Sequence, residues 1–200
     1  MNLSYGLLCE GDSDLSALSI IIQRLGERLG HDLIISLDQS NPVSGPISKV
    51  SVKLRTTAFL QANLDLGFYL ADNDKGEIGK LQMIRTNVET VNQAWFNRSV
   101  IGIPDPHMEA WLIADQDTVK NYFGIPADQP LPFAGQQPKP RMSSLVSSYG
   151  EEQLTVGEFR RILASTMNIE HVIHHDSEFA TFEGNIRAAL NFVENQTGRA

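Results

Sequence analysis

Cysteine is almost missing: Cys9 is the single one in 200 residues, which excludes an internal disulfide framework and any metal site built on cysteine pairs. Its place in the apolar run Leu7-Leu8-Cys9 predicts a small buried hydrophobe rather than a nucleophile. No apolar run approaches the ~20 residues of a membrane span, and the opening residues lack the basic-then-apolar pattern of a secretion signal. The expected compartment is therefore the cytoplasm, with no membrane partner. Positive charge is also scarce, since 16 Lys and Arg face 24 Asp and Glu for a formal net charge of −8. That balance excludes a binder that coats nucleic acid with its whole surface, because phosphate contacts need many cations, but it leaves a local contact open. Repeats, low-complexity tracts and a zinc-ligand set are absent. So is an ATPase P-loop, because Gly76-Glu77-Ile78-Gly79-Lys80 has the wrong spacing and no Ser or Thr follows the lysine.

What is present is a hydrophobic content of 42%, enough for a sound core, distributed as alternating strand and helix signals. Leu3 to Cys9 reads as a first strand, followed by a helix whose apolar row is Leu15, Leu18, Ile21 or Ile22, Leu25 and Leu29, stopping near Gly30. Asp12 or Ser13 is its natural N-cap. Leu33 to Leu37 is a second strand, Asn41 to Pro46 a loop, and Ile47 to Leu64 a helix, although Val50 to Leu54 also fits a strand. Phe68 to Ala71 is a short apolar strand of the kind buried in a parallel sheet, Ile78 to Phe96 a further helix, and Val100 to Ile103 a fourth strand. A short helix opened by proline follows from Pro104 to Asp115. Gly124 to Pro140 holds five of the nine prolines and reads as a long extended connection, after which every signal is helical. The expected architecture is α/β, a parallel four-stranded sheet flanked by helices, as an α/β domain over residues 1–124 with a proline-rich connection and helical extension over 125–200 packed on it.

The chemistry concentrates at two turns. Leu66 to Gly76 passes from the apolar strand into Asp72-Asn73-Asp74, and in an open α/β sheet the C-terminal end of a strand is where ligands bind. Two carboxylates one residue apart on an extended backbone can point the same way, and they repel unless a proton or cation sits between them. Hard oxygen ligands favour Mg²⁺ or Mn²⁺. A polar turn with capping aspartates is the plainer reading of the same letters. Glu10 ends the first strand in the same way, so a parallel sheet gathers Glu10, Asp72 and Asp74 at one edge. Such a site suits hydrolysis of a phosphodiester, with the carboxylates holding metal or moving a proton and Lys75 or Lys139 stabilising the phosphate. Glu109, alone among Met108, Trp111, Leu112 and Ile113, must face solvent, pair with a cation or bind metal. We expect it to support the metal site; the alternative is a carboxylate at an exposed helix N-terminus.

Glu10-Gly11-Asp12-Ser13-Asp14 after one strand and Asp72-Asn73-Asp74 after a later one together resemble the Toprim domain of topoisomerases, primases and overcoming-lysogenisation-defect nucleases. The resemblance covers about the first three fifths of the chain and implies a Toprim-like Rossmannoid fold. It also implies Glu10 as acid/base or metal ligand, Gly11 as the turn glycine, Asp14 as the second acid of that turn, and Asp72 with Asp74 as the divalent-metal pair. Met108-Glu109-Ala110-Trp111-Leu112 is similar to a stretch of small prokaryotic Toprim-like proteins linked to phage defence. With no primase zinc set and no strand-passage apparatus, the resemblance implies a small stand-alone nuclease acting on DNA or RNA, with an ATPase on another chain as a candidate partner. A metal-dependent nucleotide-sugar glycosyltransferase also uses Asp-x-Asp after a strand, but gives Glu10 no task. A non-catalytic interaction protein with a decayed site is the third reading.

Basic residues fall into two groups, Lys49, Lys53, Arg55, Lys75, Lys80 and Arg85 near the aspartate turn, and Lys139, Arg141, Arg160 and Arg161 later. Each reads either as a solvated face or as a local phosphate patch, with Lys139 and Arg141 the nucleic-acid-binding candidates. His171, His174 and His175 have helical spacing suited to a transition metal or simply to a polar helix face. His107 can join Glu109 or stay on the surface. Trp95, Phe96 and Trp111 are expected in the core, although an aromatic at the sheet edge could stack on a base.

Overall fold

The computed structural model describes residues 1–36, 47–73 and 79–198. Its centre is a four-stranded parallel sheet in the order β2-β1-β3-β4, formed by β1 (Asn2–Leu8), β2 (Asp32–Ile35), β3 (Leu66–Leu70) and β4 (Ser99–Gly102). Every residue of β3 is buried, as an apolar run between two neighbours requires. Alternate side chains divide between two layers. Leu8, Tyr69 and Ile101 point into one with Phe59, Ile84, Val88 and Trp95; Tyr5, Phe68 and Val100 point into the other with Ile21, Trp111, Phe159 and Phe182.

The first layer is covered by α2 (Lys49–Gln61), α3 (Lys80–Val91) and α4 (Gln93–Phe96). Gly6 permits this approach, because a Cβ there would lie 2.3 Å from Cε1 of Phe59. Inside the layer the Tyr69 hydroxyl is 2.8 Å from Thr56 Oγ1 and accepts from Trp95 Nε1 at 3.3 Å, so the buried phenol is satisfied. Residues 50–54 are helical rather than extended: α2 starts from a capping box between Ser48 and Ser51 and buries Val52 while Val50 and Leu54 stay exposed. The single helix expected over Ile78 to Phe96 is broken in two. Asn92 adopts an extended backbone and its side chain accepts from Trp95 N–H at 2.8 Å, which caps a new turn instead of continuing the old one.

The second layer is covered by α1 (Asp12–Arg28) and by the helices after β4: α5 (Met108–Ala114), α6 (Gln116–Phe123), α7 (Pro138–Tyr149), α8 (Val156–Thr166), α9 (Ile169–His175) and α10 (Ser177–Thr197). Leu18, Ile21, Ile22 and Leu25 line the buried face of α1, and Gly30, at φ 84°, ends it. Gly11, not Asp12 or Ser13, is its N-cap residue. At Gly102 a Cβ would meet Phe182 Cδ2 at 2.9 Å, so this glycine lets α10 lie against β4. Phe182 in turn stacks on Trp111 with centroids 5.2 Å apart, which ties α5 to the same core. Met142, Leu145, Phe159, Leu163, Phe179, Ile186, Leu190 and Val193 share one continuous apolar cluster with Tyr5 and Phe68 of the sheet.

Two expectations about connections change. The helix after β4 starts at Met108 rather than at a proline, with His107 in the N-cap position. The connection predicted as extended over Gly124 to Pro140 is shorter and folded back: α7 begins at Pro138, Leu131 is buried, and Arg141 donates to the carbonyls of Pro132 at 3.0 Å and Leu131 at 2.8 Å. Among the described residues no helix is long and apolar enough to cross a membrane.

Candidate functional site

Parallel register places the C-terminal ends of β1, β3 and β4 side by side, with Leu8 beside Tyr69 and Leu70 beside Gly102. Each strand runs apolar up to this edge and then meets a polar turn. Pairing continues past the end of β3, since Ala71 N–H donates to Gly102 O at 3.2 Å and Asn73 N–H to Pro104 O at 3.0 Å. Asp72, held between these two bonds, therefore has a fixed backbone. Its Oδ1 accepts the first amide of α5, Met108 N–H, at 3.2 Å. This bond explains why the helix begins where it does: one of its unsatisfied N-terminal donors is met by the aspartate.

Three further carboxylates surround Asp72. Burial first, then the charges of Glu109 and Asp14 and, more weakly, Glu10 push the Asp72 carboxyl up to about 7, with the Met108 amide opposing them. Glu10 follows β1, Asp14 lies in the first turn of α1, and Glu109 lies in the first turn of α5. Fourth strand and Asp72 strand are neighbours, which brings α5 to this edge. Glu109 is buried at 2% exposure, so it is not the exposed helix-terminal carboxylate that the sequence left open.

Among the described residues two cations thread the cluster. Lys80, opening α3, donates through Nζ to Glu10 Oε1 at 3.0 Å and to the backbone carbonyl of Asp72. Arg160 of α8 is buried and donates through Nη1 to Asp14 Oδ1 at 2.9 Å and through Nη2 to Glu109 Oε1. Its helix is fixed on α1 by Arg24, which donates to Ala164 O at 2.7 Å and Met167 O at 2.9 Å. Four carboxylates with two bonded cations leave two formal negative charges among the described residues.

Of the residues expected at the site, Glu10, Asp14, Asp72 and Glu109 are brought together, while Asp74 and Lys75 lie outside the described residues. Arg141 is not a free phosphate ligand but holds the connection before α7, and Lys139 is exposed in the first turn of α7. Nothing in the spacing of the basic residues singles out Arg160 or Lys80. One signal for Arg160 was legible: it sits with Phe159, Leu163 and Ala164 in the apolar stripe of its helix, the same anomaly that marks Glu109 in its own. His171 and His175 stack on each other at 4.0 Å on α9 as a polar face.

Among the described residues no three His, Cys, Asp or Glu side chains form a ready-made metal cage. Mg²⁺ seldom needs one, because it retains several waters and is held by one or two carboxylates together with substrate phosphates. The donors fit that pattern: Asp72 and Glu10 are hard oxygen ligands, Asp72 is crowded by like charge, and Asn73 Oδ1 next to it is shielded from solvent with no hydrogen-bond partner among the described residues. The edge can therefore release a proton in exchange for a divalent cation and hold an anionic ligand through it. Neither a family model nor a curated protein nor a solved structure matches the chain.

Proposed function

We propose that the chain is a divalent-metal-dependent nuclease of the Toprim type, cleaving a phosphodiester of DNA or RNA at the acidic edge of its sheet. The observation that carries this reading is Asp72, whose carboxyl is raised to about 7 by burial and by Glu109, Asp14 and Glu10 at the C-terminal end of a parallel sheet. Asp72 and Glu10, joined by Asp74, would hold Mg²⁺ or Mn²⁺. When bound, such a cation supplies an activated water and neutralises charge on the leaving oxygen. Glu10, oriented by Lys80, moves the proton. The Lys80 ammonium, anchored by Glu10 and the Asp72 carbonyl, adds positive charge beside the phosphate, with Lys75 as a second candidate for that role. With Arg141 bonded to the 131–132 carbonyls, Lys139 is the remaining phosphate contact of that pair. A role in phage defence and a separate ATPase partner belong to the same reading through the Toprim resemblance. The nuclease reading gives Glu10, which lies against Lys80 at the edge, a task that a glycosyltransferase would leave open.

The test is cleavage of plasmid, single-stranded DNA and transfer RNA with Mg²⁺ or Mn²⁺ and with chelator. Cation-dependent cleavage that is lost in Glu10→Gln and in Asp72→Asn is expected. Cleavage that survives in either folded variant removes that residue from the mechanism, and no cleavage of any of the three substrates rejects a nuclease that acts without a partner chain.

A further inference from the structure

A groove of about 690 Å³ runs along the outer side of β4, between α3 and α10. β4 is the last strand of the sheet, so one side of its backbone has no neighbouring strand. The carbonyls of Arg98, Gly102 and Pro104 accept from Gly67, Ala71 and Asn73, which sends the backbone groups of Ser99, Ile101 and Ile103 the other way, towards the groove. Asn185 of α10 already donates through Nδ2 to Ile101 O at 3.0 Å. A peptide strand added to β4 would need that acceptor for its ladder, so α10 closes this edge to strand addition.

The groove is continuous with the acidic edge. Ile103, in its lining, lies between the two residues whose carbonyls hold the backbone on either side of Asp72, and Leu81, also in its lining, directly follows Lys80. At the other end Phe96 is half-buried, and the guanidinium of Arg85 lies over its ring with Cζ 5.5 Å from the centroid. A guanidinium layered on a ring offers a flat face to a base and donors to a phosphate. Arg85 is exposed and stands about 7.5 Å beyond Lys80 along the axis of α3, so a polyanion leaving the edge meets a second cation there. Bases in a duplex keep their faces stacked on one another, and only an unpaired base can lie on such a platform.

We propose that this groove takes an unpaired strand of the substrate: a nucleotide near the scissile one stacks its base on Phe96 and Arg85 and sets its phosphate against the Arg85 guanidinium. The inference rests on the nuclease reading above and gives it a substrate class, single-stranded nucleic acid. It also gives a task to Phe96, which packs against the first layer without being buried in it.

Fluorescence anisotropy tests it on the full chain carrying Glu10→Gln in Mg²⁺, so that the strand is held and not cut. The probes are labelled DNA and RNA of one sequence, each as single strand and as duplex. A single strand is expected to bind about tenfold more tightly than its duplex; Phe96→Ala should weaken it about tenfold and Phe96→Tyr leave it near the parent value. Arg85→Gln, at an exposed position, should lower the salt slope of single-strand binding by about 0.7. Equal binding of single strand and duplex overturns the inference, as does no binding of either, or a folded Phe96→Ala that binds like its parent. A mononucleotide that competes as well as the strand also overturns it, since the groove would then hold a free nucleotide. Should Phe96→Ala fail to fold, Arg85→Gln decides, and an unchanged salt slope rejects the assignment. Cleavage is scored separately on the wild type. Cleavage of single strands with unaltered affinity in the groove variants sinks the groove and leaves the nuclease, whereas the expected binding pattern without cleavage supports the groove and counts against a nuclease that acts alone.

Discussion

Asp72 is half-buried and Asp115 buried, and their surroundings move them in opposite directions. Asp115 is 3% exposed; burial alone would raise its pKa, but its oxygens accept from Asn168 N–H at 2.7 Å, Thr118 Oγ1 at 2.6 Å and Thr118 N–H at 3.3 Å, and the net shift is downward. It caps α6 and ties the start of α9 to it, so all its bonds are internal and its charge is fully used. Asp72 receives one backbone amide and faces three other carboxylates, and it is raised to about 7. A satisfied carboxylate is architecture; a crowded and under-bonded one is what the proposed cation site requires. The same contrast separates the helical junction at 115–118 and 168 from the sheet edge.

The largest effect expected is at the one place where the edge resembles the junction, the buried Arg160–Glu109 pair. Arg160→Met should cost about 3–5 kcal/mol, because it takes the guanidinium from a carboxylate that cannot reach water. Adding Glu109→Gln should restore a large part of that loss. Chemical denaturation of the single and double variants measures both numbers, and a single-variant cost below about 1 kcal/mol would show that the pair is not buried in the way described.

Next in size is Asp115→Ala, which removes an N-cap and leaves the Asn168 amide without its acceptor, for about 2 kcal/mol. Its pH dependence has a definite sign. Since the folded-state pKa lies below the ordinary carboxylate value near 4, the contribution of the charge is complete above that value and disappears as pH falls through the folded one. The gap between wild type and variant should therefore be full at pH 7 and narrow below pH 4. A gap that is constant from pH 7 to pH 2 would mean that the charge of Asp115 is not what stabilises the junction.

Asp72→Asn should act in the other direction. In the wild type, ionising a carboxyl whose folded pKa is about 7 costs stability progressively from pH 4 upward, so the amide should stabilise the cation-free protein at pH 8 by roughly 1–2 kcal/mol, once the ~1.4 kcal/mol per unit is discounted for the solvent that reaches this half-buried group, and by almost nothing at pH 4. Thermal melts at the two pH values in the presence of chelator check it; a loss of stability at pH 8 would place Asp72 with Asp115 as a structural group.

How much of this was legible in the sequence follows the physics of each feature. The apolar runs at 3–8, 66–70 and 100–102 are strands because a buried parallel strand needs apolar side chains on both faces, a property of the residues themselves. The acids that end those strands, Glu10 and Asp72, were legible for the same reason: strand direction alone sends them to one edge. Asn92 was less so, since it can stay inside a helix or cap a new one, and the Trp95 amide within reach decides it. The partnership of Arg160 with Asp14 and Glu109 spans 146 and 51 positions and depends on how α8 packs against α1 and α5. Nothing local specifies such a pair, and only the intrusion of a charge into an apolar helical stripe hinted at either member.

The smallest effect expected is the sharpest test of the difference between the two aspartates. A ligand that binds only the folded state raises stability by RT ln(1 + [L]/Kd), which is ~0.4 kcal/mol when Mg²⁺ is present at its own Kd and ~1.4 kcal/mol at ten times that level. For a chain of this size the first figure is about 1–2 °C in Tm. If the cation binds at Asp72, it must displace the proton held there, so the gain should be present at pH 8 and shrink as pH falls below about 7. Asp72→Asn should abolish it at every pH. Asp115→Asn should lower the starting Tm and leave the Mg²⁺ increment unchanged, because every bond of Asp115 is made within the junction. An increment that disappears in both variants would mean that Mg²⁺ follows general stability rather than one carboxylate, and the distinction between an aspartate that holds the fold and one that awaits a cation would fail.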